Sequence, residues 1–367
     1  MERIVLCLIH LGEEDAPHLW ANLAYLEKTF ENIECVLILD SARFIDQAKS
    51  LGIKTHFYIR DQAADDLFSR AENNFDYEFR NGFWRYSLER LFAFVQFHST
   101  ISNPLLHIES DILLFKNFPW SQFSALENMG WQSLSQNSDV ASILFSPTPK
   151  SSAIFGSRIL SLIEEDHSLT DMTVLARLRH EFHLDYLTIP SAPSVDVNVF
   201  NEYRFEEKVR ISALTSNFGG YFDSAPLGMW NFGQDARNNY GFSVRFKKMP
   251  ESILDPSRID LQYDKSGTKL IDQFGSYIYS LHIHSKDLSL FDVENIEVIR
   301  LYLFGRIRHK KHIFHRAMFV RLISDYKRRG KLLELFANLP VFIRLNRFAI
   351  FRITKKMFKT LIRPNLK

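Results

Sequence analysis

The segment Leu105-Leu106-His107-Ile108-Glu109-Ser110-Asp111-Ile112-Leu113-Leu114 is an apolar strand pattern interrupted by two carboxylates. Strand alternation aims Glu109 and Asp111 to one side. Two carboxylates there are costly to bury unless a cation or a basic group satisfies them. Mg²⁺ or Mn²⁺, bound by one or two carboxylates together with substrate phosphates, is the economical solution. A motif this short also describes two surface acids at a strand end. Its place in the chain favours chemistry, because three strand–helix units and a helical segment precede it.

A second group lies far downstream. In Leu281-His282-Ile283-His284-Ser285-Lys286 the residues alternate strictly, which sets His282, His284 and Lys286 on one face. A neutral imidazole can complete a metal site begun by Asp111. Lysine two positions further on can reach a departing phosphate as a point charge. Of the two histidines, His284 is favoured as the ligand because it stands nearer Lys286. Paired histidines on a strand are otherwise ordinary polar-face residues.

A third group, Gly219 to Asp235, combines glycines, aromatics and acids. Sugar rings stack on aromatic faces while carboxylates bind hydroxyls. Trp230 is the expected platform for an acceptor, and Asp223 or Asp235 would orient or deprotonate its hydroxyl. In the competing reading these acids cap turns. Asp171, in Thr170-Asp171-Met172, is a further acceptor candidate that would equally serve as a helix cap.

The elements that must hold these groups are legible as alternating patterns. Arg3 to His10 reads as a buried strand, Pro17 to Phe30 as a helix and Glu34 to Leu39 as a second strand ending on Asp40. Ser41 caps a helix that closes at Gly52, and Ile53 to Ile59 is a third strand. Asp61 to Asn81 is polar and expected to be irregular. Phe83 to His98 has helical spacing, and Leu105 to Ile108 and Ile112 to Phe115 are strands around the acidic triplet. Later come a strand at Val140 to Phe145 and helices at Ala153 to Ile163 and Asp171 to Arg179. Ser216 to Gly241 reads as a long loop, of the kind that is usually functional, and Ser276 to His284 as a late strand. This is an α/β order: a mixed, mostly parallel sheet with helices on both faces.

With these residues in place the chain resembles the nucleotide-sugar transferases of the GT-A fold. There a Rossmann-like N-terminal half ends in a strand carrying a D-x-D motif whose last acid holds the metal on the donor diphosphate. Asp111 matches that acid, and Glu109 stands where the first aspartate is usual, with Ser110 between. Asp40 matches the position that contacts base or ribose, and the helix bearing Trp84, Arg85 and Arg90 matches the basic, aromatic helix before the motif. Arg90 would neutralise phosphate or the carboxylates, or simply pack. The late segment also resembles the glycogenin-like branch, in which a histidine binds metal and a lysine, here Lys286, binds the diphosphate. The resemblance implies a transferase of the bacterial surface-polysaccharide type, using Mn²⁺ or Mg²⁺. It would move a sugar from a nucleotide diphosphate, expected to be UDP, to a saccharide or lipid-linked acceptor.

Charge divides the chain. From Arg300 to Lys367 there are 19 Lys and Arg against two acids, leaving 26 basic and 41 acidic residues before position 300. The expected organisation is a catalytic domain over 1–299, with a nucleotide-sugar half over 1–115 and an acceptor half over 116–299, and a basic tail over 300–367. In the tail, Phe342, Leu345, Ala349, Ile353, Met357 and Leu361 recur at helical spacing, with Arg344, Arg347, Lys355 and Lys359 among the basic residues between. Such a helix suits an anionic membrane surface. Protein contact is a weaker alternative, and nucleic acid the weakest, because the tail has no nucleic-acid motif and the body is acidic. Cys7 and Cys35 are the only cysteines and lie in buried-strand patterns, which fits a reducing compartment. Glu2 and the short apolar run of Met1 to His10 argue against a signal peptide, and no run reaches the roughly 18 apolar residues of a membrane span. The expectation is a cytoplasmic protein, peripheral on the inner face of the membrane. A nucleotidyltransferase making activated sugars and a non-catalytic carbohydrate binder remain the alternatives. The first is disfavoured by the acidic Leu11-Gly12-Glu13-Glu14-Asp15 where a glycine-rich, basic phosphate loop would stand.

Overall fold

The computed structural model describes residues 3–60, 62–71, 82–194, 199–201, 205–235, 242–244, 252–265, 269–291 and 312–314. The chain divides into two compact units, residues 1–235 with 243–312, and 236–242 with 313–367. The amphipathic basic helix expected over 342–361 lies outside the described residues. Among the described residues no helix is long and apolar enough to cross a membrane.

The N-terminal half follows the predicted alternation: β1 (Val5–His10), α1 (Pro17–Thr29), β2 (Glu34–Leu39), α2 (Ile45–Ser50), β3 (Lys54–Phe57), α3 (Gln62–Ala71), α4 (Phe83–His98), β4 (Leu105–Ile108) and β5 (Ile112–Leu114). There follow α5 (Trp120–Ser124), β6 (Met129–Ser135), β7 (Ser138–Ser146), α6 (Pro149–Glu165), α7 (Asp171–Glu181), β8 (Tyr186–Ile189), α8 (Phe205–Ser212), α9 (Thr215–Phe218), β9 (Gly220–Tyr221) and α10 (Pro226–Phe232). Short strands complete the order: β10 (Phe242–Val244), β11 (Gln262–Tyr263), β12 (Leu270–Ile271), β13 (Tyr277–Ile278), β14 (Ser280–His282) and β15 (His312–Phe314).

Seven strands form the main sheet in the order β3-β2-β1-β4-β7-β6-β8. The first four are parallel, β7 runs antiparallel to both β4 and β6, and β8 is parallel to β6. Strands covered on both faces need near-continuous apolar runs. Val-Leu-Cys-Leu-Ile in β1 is such a run: Val5 and Cys7 join the core under α4, α6 and α7, while Leu6 and Leu8 are as completely buried on the other face. Strand order reverses between β1 and β4, and the crevice beyond their carboxyl ends is where such sheets bind ligands. The acidic triplet leaves β4 at that end.

The chain then does something sequence alone does not dictate. β5 leaves the main sheet and pairs antiparallel with β14, matching Ile112 to His282, Leu113 to Leu281 and Leu114 to Ser280. Ile283 N–H donates to Asp111 O at 2.7 Å. The carboxylate motif and the histidine motif are thus neighbours in one ladder.

Three expectations about secondary structure are corrected. Part of the polar stretch after Arg60 is helix α3, whose Leu67 and Phe68 are buried. The expected loop from Ser216 to Gly241 holds α9, β9 and α10. Helix α10 forms despite Gly228 because Pro226 starts it and the Asp223 carboxylate accepts its first amides. The late strand is broken into β13 and β14 and ends at His282, after which the chain turns. Strand β6 was hidden in the sequence by polar residues that are buried and bonded. Gln132 Nε2 donates to Phe222 O at 2.9 Å, and Ser133 Oγ to Asp139 Oδ1 at 2.8 Å.

Two core histidines make stability depend on pH. His98 lies between Ser152 Oγ at 2.6 Å and Asn103 O at 3.0 Å, and His107 Nδ1 is 3.2 Å from Cys7 O. Burial pushes the His98 ring down to about 4. Burial, helped by the nearby Arg90 charge, pushes His107 down to about 3. Both values lie below the unfolded value of about 6.5, so each ring stabilises the fold above that pH. That contribution is lost as pH falls from about 6.5 through about 4 for His98 and about 3 for His107. Urea unfolding from pH 7 to pH 4.5 is expected to show stability falling by up to about 1.4 kcal/mol per pH unit for each ring. His98→Asn would flatten that slope by about one proton; an unchanged slope would refute it.

Candidate active site

The site grows from the end of β4. Glu109, Asp111 and His282 each bring one ligand atom, and these atoms lie within 4.8 Å of one another. His282 Nε2 is 3.2 Å from Asp111 Oδ2 and 3.7 Å from Glu109 Oε2. Lys286 Nζ lies 2.5 Å from the same Asp111 oxygen. On the far side Arg90, from α4, pairs with Glu109 and reaches Asp171 Oδ2 at 2.9 Å. Five elements therefore converge: α4, the β4–β5 turn, the α7 N-terminus, β14 and the turn after it.

Charge explains how so many ionised groups stay together. Burial opposes a charged Asp111, but His282 and Lys286 outweigh it and hold the carboxyl well below its ordinary range. Burial would discharge His282, and Asp111, then Glu109, raise its pKa instead. Asp171 is raised by burial, against the pull of Arg90. Two carboxylates and an imidazole suit Mg²⁺ or Mn²⁺, and the ring nitrogen that faces both acids is His282 Nε2. These residues fit a divalent cation.

The structure sets His282, rather than the His284 favoured from sequence, beside the two carboxylates. His284 Nδ1 accepts the Asp235 N–H at 2.8 Å, and burial, then the charges of His282 and Lys286, push its pKa down to about 3. The reason is the break in the strand: β14 ends at His282, so alternation no longer governs His284. His282 is held by its backbone. Its N–H donates to Asp223 Oδ2 at 3.0 Å, and a Cβ on Gly228 would come 1.8 Å from its carbonyl oxygen. Glycine lets α10 close on this strand.

Of the two readings of Asp223, its contacts are those of an acid that caps a turn. Its carboxylate accepts the amides of Ala225, Leu227 and Gly228 besides that of His282, at 2.7–3.0 Å, and it is 1% exposed. It joins α10 to β14. Asp171 does not cap its helix either. Thr170 does, in a reciprocal capping box with Thr173, which frees the Asp171 carboxylate for Arg90. Asp235 is buried beside His284, and Trp230 is half-buried on α10. Ser110 faces α1, with its Oγ 3.1 Å from His18 Nε2 and its carbonyl accepting Asn22 Nδ2 at 3.1 Å.

Asp40 belongs to a second ionic network at the ends of β1, β2 and β3. Its Oδ1 accepts the Gly12 N–H at 2.9 Å, and its Oδ2 is 3.0 Å from Arg60 NH2. Arg60 also pairs with the fully buried Glu89, which Arg85 approaches at 3.5 Å. Arg60 and Glu89 were not singled out from sequence. Arg60 follows Ile59 just past a parallel strand, and that position was the available signal.

No family model matches the chain, and no curated protein matches it. Solved structures superpose on about half of it. The glycosyltransferase GlyE of Streptococcus pneumoniae TIGR4 is 10% identical, covering 51% of this chain and 45% of its own, with a TM-score of 0.34. Mouse xyloside xylosyltransferase 1 is 12% identical, covering 52% of this chain and 86% of its own, at 0.34. The galactosyltransferase LgtC, in complex with donor and acceptor sugar analogs, is 11% identical, covering 51% and 73%, at 0.35. The chain thus spans less than half the length of GlyE.

Proposed function

We propose that this protein is a metal-dependent glycosyltransferase that takes its sugar from a nucleotide diphosphate, with UDP as the expected nucleotide. One observation carries the reading: Glu109, Asp111, His282 and Lys286 meet at the strand-order reversal, where open α/β sheets bind nucleotides. Asp111, His282 and Glu109 would hold Mn²⁺ or Mg²⁺. When bound, that ion supplies Lewis-acid stabilisation of the diphosphate. Lys286 adds a second positive charge for the leaving group as the anomeric bond breaks. Arg90, fixed between Glu109 and Asp171, sets the position of Glu109 and gives the donor a cationic wall. Asp40 with Arg60 would receive the ribose or base, and Ser110 would line the donor site.

For the acceptor, Asp235 is the remaining candidate base and Trp230 the stacking surface. A saccharide, free or on a lipid, would attack through a hydroxyl, as in surface-glycan synthesis. Residues 300–367 would bring the protein to an anionic membrane from the cytoplasmic side.

Gly12 N–H is engaged by Asp40 rather than free to cradle a phosphate, which counts against a nucleotidyltransferase. Product analysis tests the reading. With Mn²⁺ and a panel of nucleotide sugars, slow release of nucleoside diphosphate is expected, and EDTA should stop it. Release of pyrophosphate from nucleoside triphosphate and sugar phosphate would identify a nucleotidyltransferase instead. Release of neither would leave a binder.

A further inference from the structure

Among the cations of the site, Lys286 differs in kind. Arg90 is committed to two carboxylates, and His282 is fixed through its backbone by Asp223 and by the close packing of Gly228. Lys286 is a compact ammonium on a flexible four-carbon stem. Its backbone is nevertheless constrained: φ is +56°, in the left-handed region, and its N–H donates to Ile283 O at 2.7 Å. Such a conformation persists where the surroundings over-determine it. The turn therefore presents a mobile charge from a fixed point.

That charge lies 2.5 Å from Asp111 Oδ2, the oxygen that His282 Nε2 also faces. A divalent cation bonded to that oxygen would stand beside a full positive charge, and the two repel strongly where solvent is excluded. The Lys286 side chain is 11% exposed and that of Asp111 8%, so water screens little of it. The ammonium and the cation compete for one carboxylate. A diphosphate changes the balance, because its oxygens offer the lysine another partner within reach of its stem.

We propose that Lys286 couples cation binding to diphosphate binding, holding Asp111 as an ion pair until a diphosphate draws the ammonium away. This rests on the donor site proposed above. Coupling of this kind is reciprocal: a diphosphate tightens the cation, and the cation tightens the diphosphate by the same factor. The protein would take up the two together and hold little free metal.

The test uses the full chain, stripped of metal with a chelator, and Mn²⁺ alone as the first probe. Titration calorimetry or the electron paramagnetic resonance signal of free Mn²⁺ gives the affinity. Lys286→Met is expected to bind Mn²⁺ alone about tenfold more tightly than the wild type. Lys286→Arg, which keeps the charge, should stay within about threefold. Adding inorganic pyrophosphate should then strengthen Mn²⁺ binding in the wild type far more than in Lys286→Met. Mn²⁺ affinity that is unchanged or weaker in Lys286→Met overturns the proposal. If that variant melts early, Lys286→Gln is read in the same way. A wild type that binds Mn²⁺ but no nucleoside diphosphate would refute the transferase reading alone, and the Mn²⁺-only comparison would still decide the role of Lys286.

Discussion

Asp111→Asn should lower donor hydrolysis and transfer by about a thousandfold or more, with loss of Mn²⁺ dependence. The amide keeps the size of the side chain and removes its charge. That charge is the one on which His282 at 3.2 Å and Lys286 at 2.5 Å converge. Without it the proposed divalent cation would lose its central ligand, and His282 and Lys286 would face each other across a neutral amide. The structural cost should be smaller than the catalytic one. Asp111 is held below its unfolded pKa, so its ion pairs stabilise the fold above the ordinary carboxylate range and are lost in acid. The variant should therefore melt somewhat lower at pH 7 and approach the wild type as pH falls below about 4. Folded Asp111→Asn protein with full activity would remove the site assignment. Activity and circular dichroism on one preparation decide it.

Arg179→Met should have the largest effect on stability, costing about 3–5 kcal/mol in urea unfolding. Arg179 is 3% exposed and joins three segments. Its Nε donates to Asp139 Oδ2 at 2.8 Å, NH1 to Glu207 Oε1 at 3.1 Å, and NH2 to the carbonyls of Ser135 and Gln136 at 3.3 and 3.1 Å. Methionine fills the space and leaves Asp139, which is completely buried, with Trp131 Nε1 and Ser133 Oγ as its only remaining described partners. A buried carboxylate that loses its countercharge is expensive, whereas an exposed pair is worth about 1 kcal/mol or less. Arg177→Met on the same helix is the control, since among the described residues Arg177 pairs with the exposed Glu165 and Glu181. Equal costs for the two would refute the argument. The same helix carries Asp171 at its other end, so loosening its Arg179 end should also weaken the hold of Asp171 on Arg90.

How far the fold could be read in advance depended on what each element buries. Helix α4 matched its predicted bounds, Phe83 to His98, because Leu88, Leu91 and Phe94 repeat at helical spacing against the sheet. Strands β1, β2 and β4 were equally plain, being short apolar runs between turn residues. Strand β6 was not, since Gln132, Ser133 and the Asp139 they adjoin are polar residues buried on specific partners. Helix α10 reads as loop because of its glycine and aromatics, and an acid such as Asp223, which organises its first turn, fits chemistry and turn-capping equally in sequence.

The candidate site divides along the same line. Sequence by itself determined the residue types and the strand that carries them: an acid pair at the end of β4, a histidine strand with a lysine beyond it, and the alternation that makes a largely parallel sheet. Those features are local, set by runs of a few residues whose burial pattern is written in their own composition. Tertiary structure alone decided which histidine meets the acids, that Arg90 spans Glu109 and Asp171, and that Asp223 is a clamp. Each depends on groups far apart in the chain: 59 positions for Asp223 and His282, 81 for Arg90 and Asp171, 175 for Asp111 and Lys286. The pairing of β5 with β14, which ends at His282, brings Asp111 to His282 and Lys286, and the approach of α4 to the start of α7 brings Arg90 to Asp171; a hydrogen bond or ion pair acts over a few ångströms, and periodicity carries no information about which distant element will lie alongside.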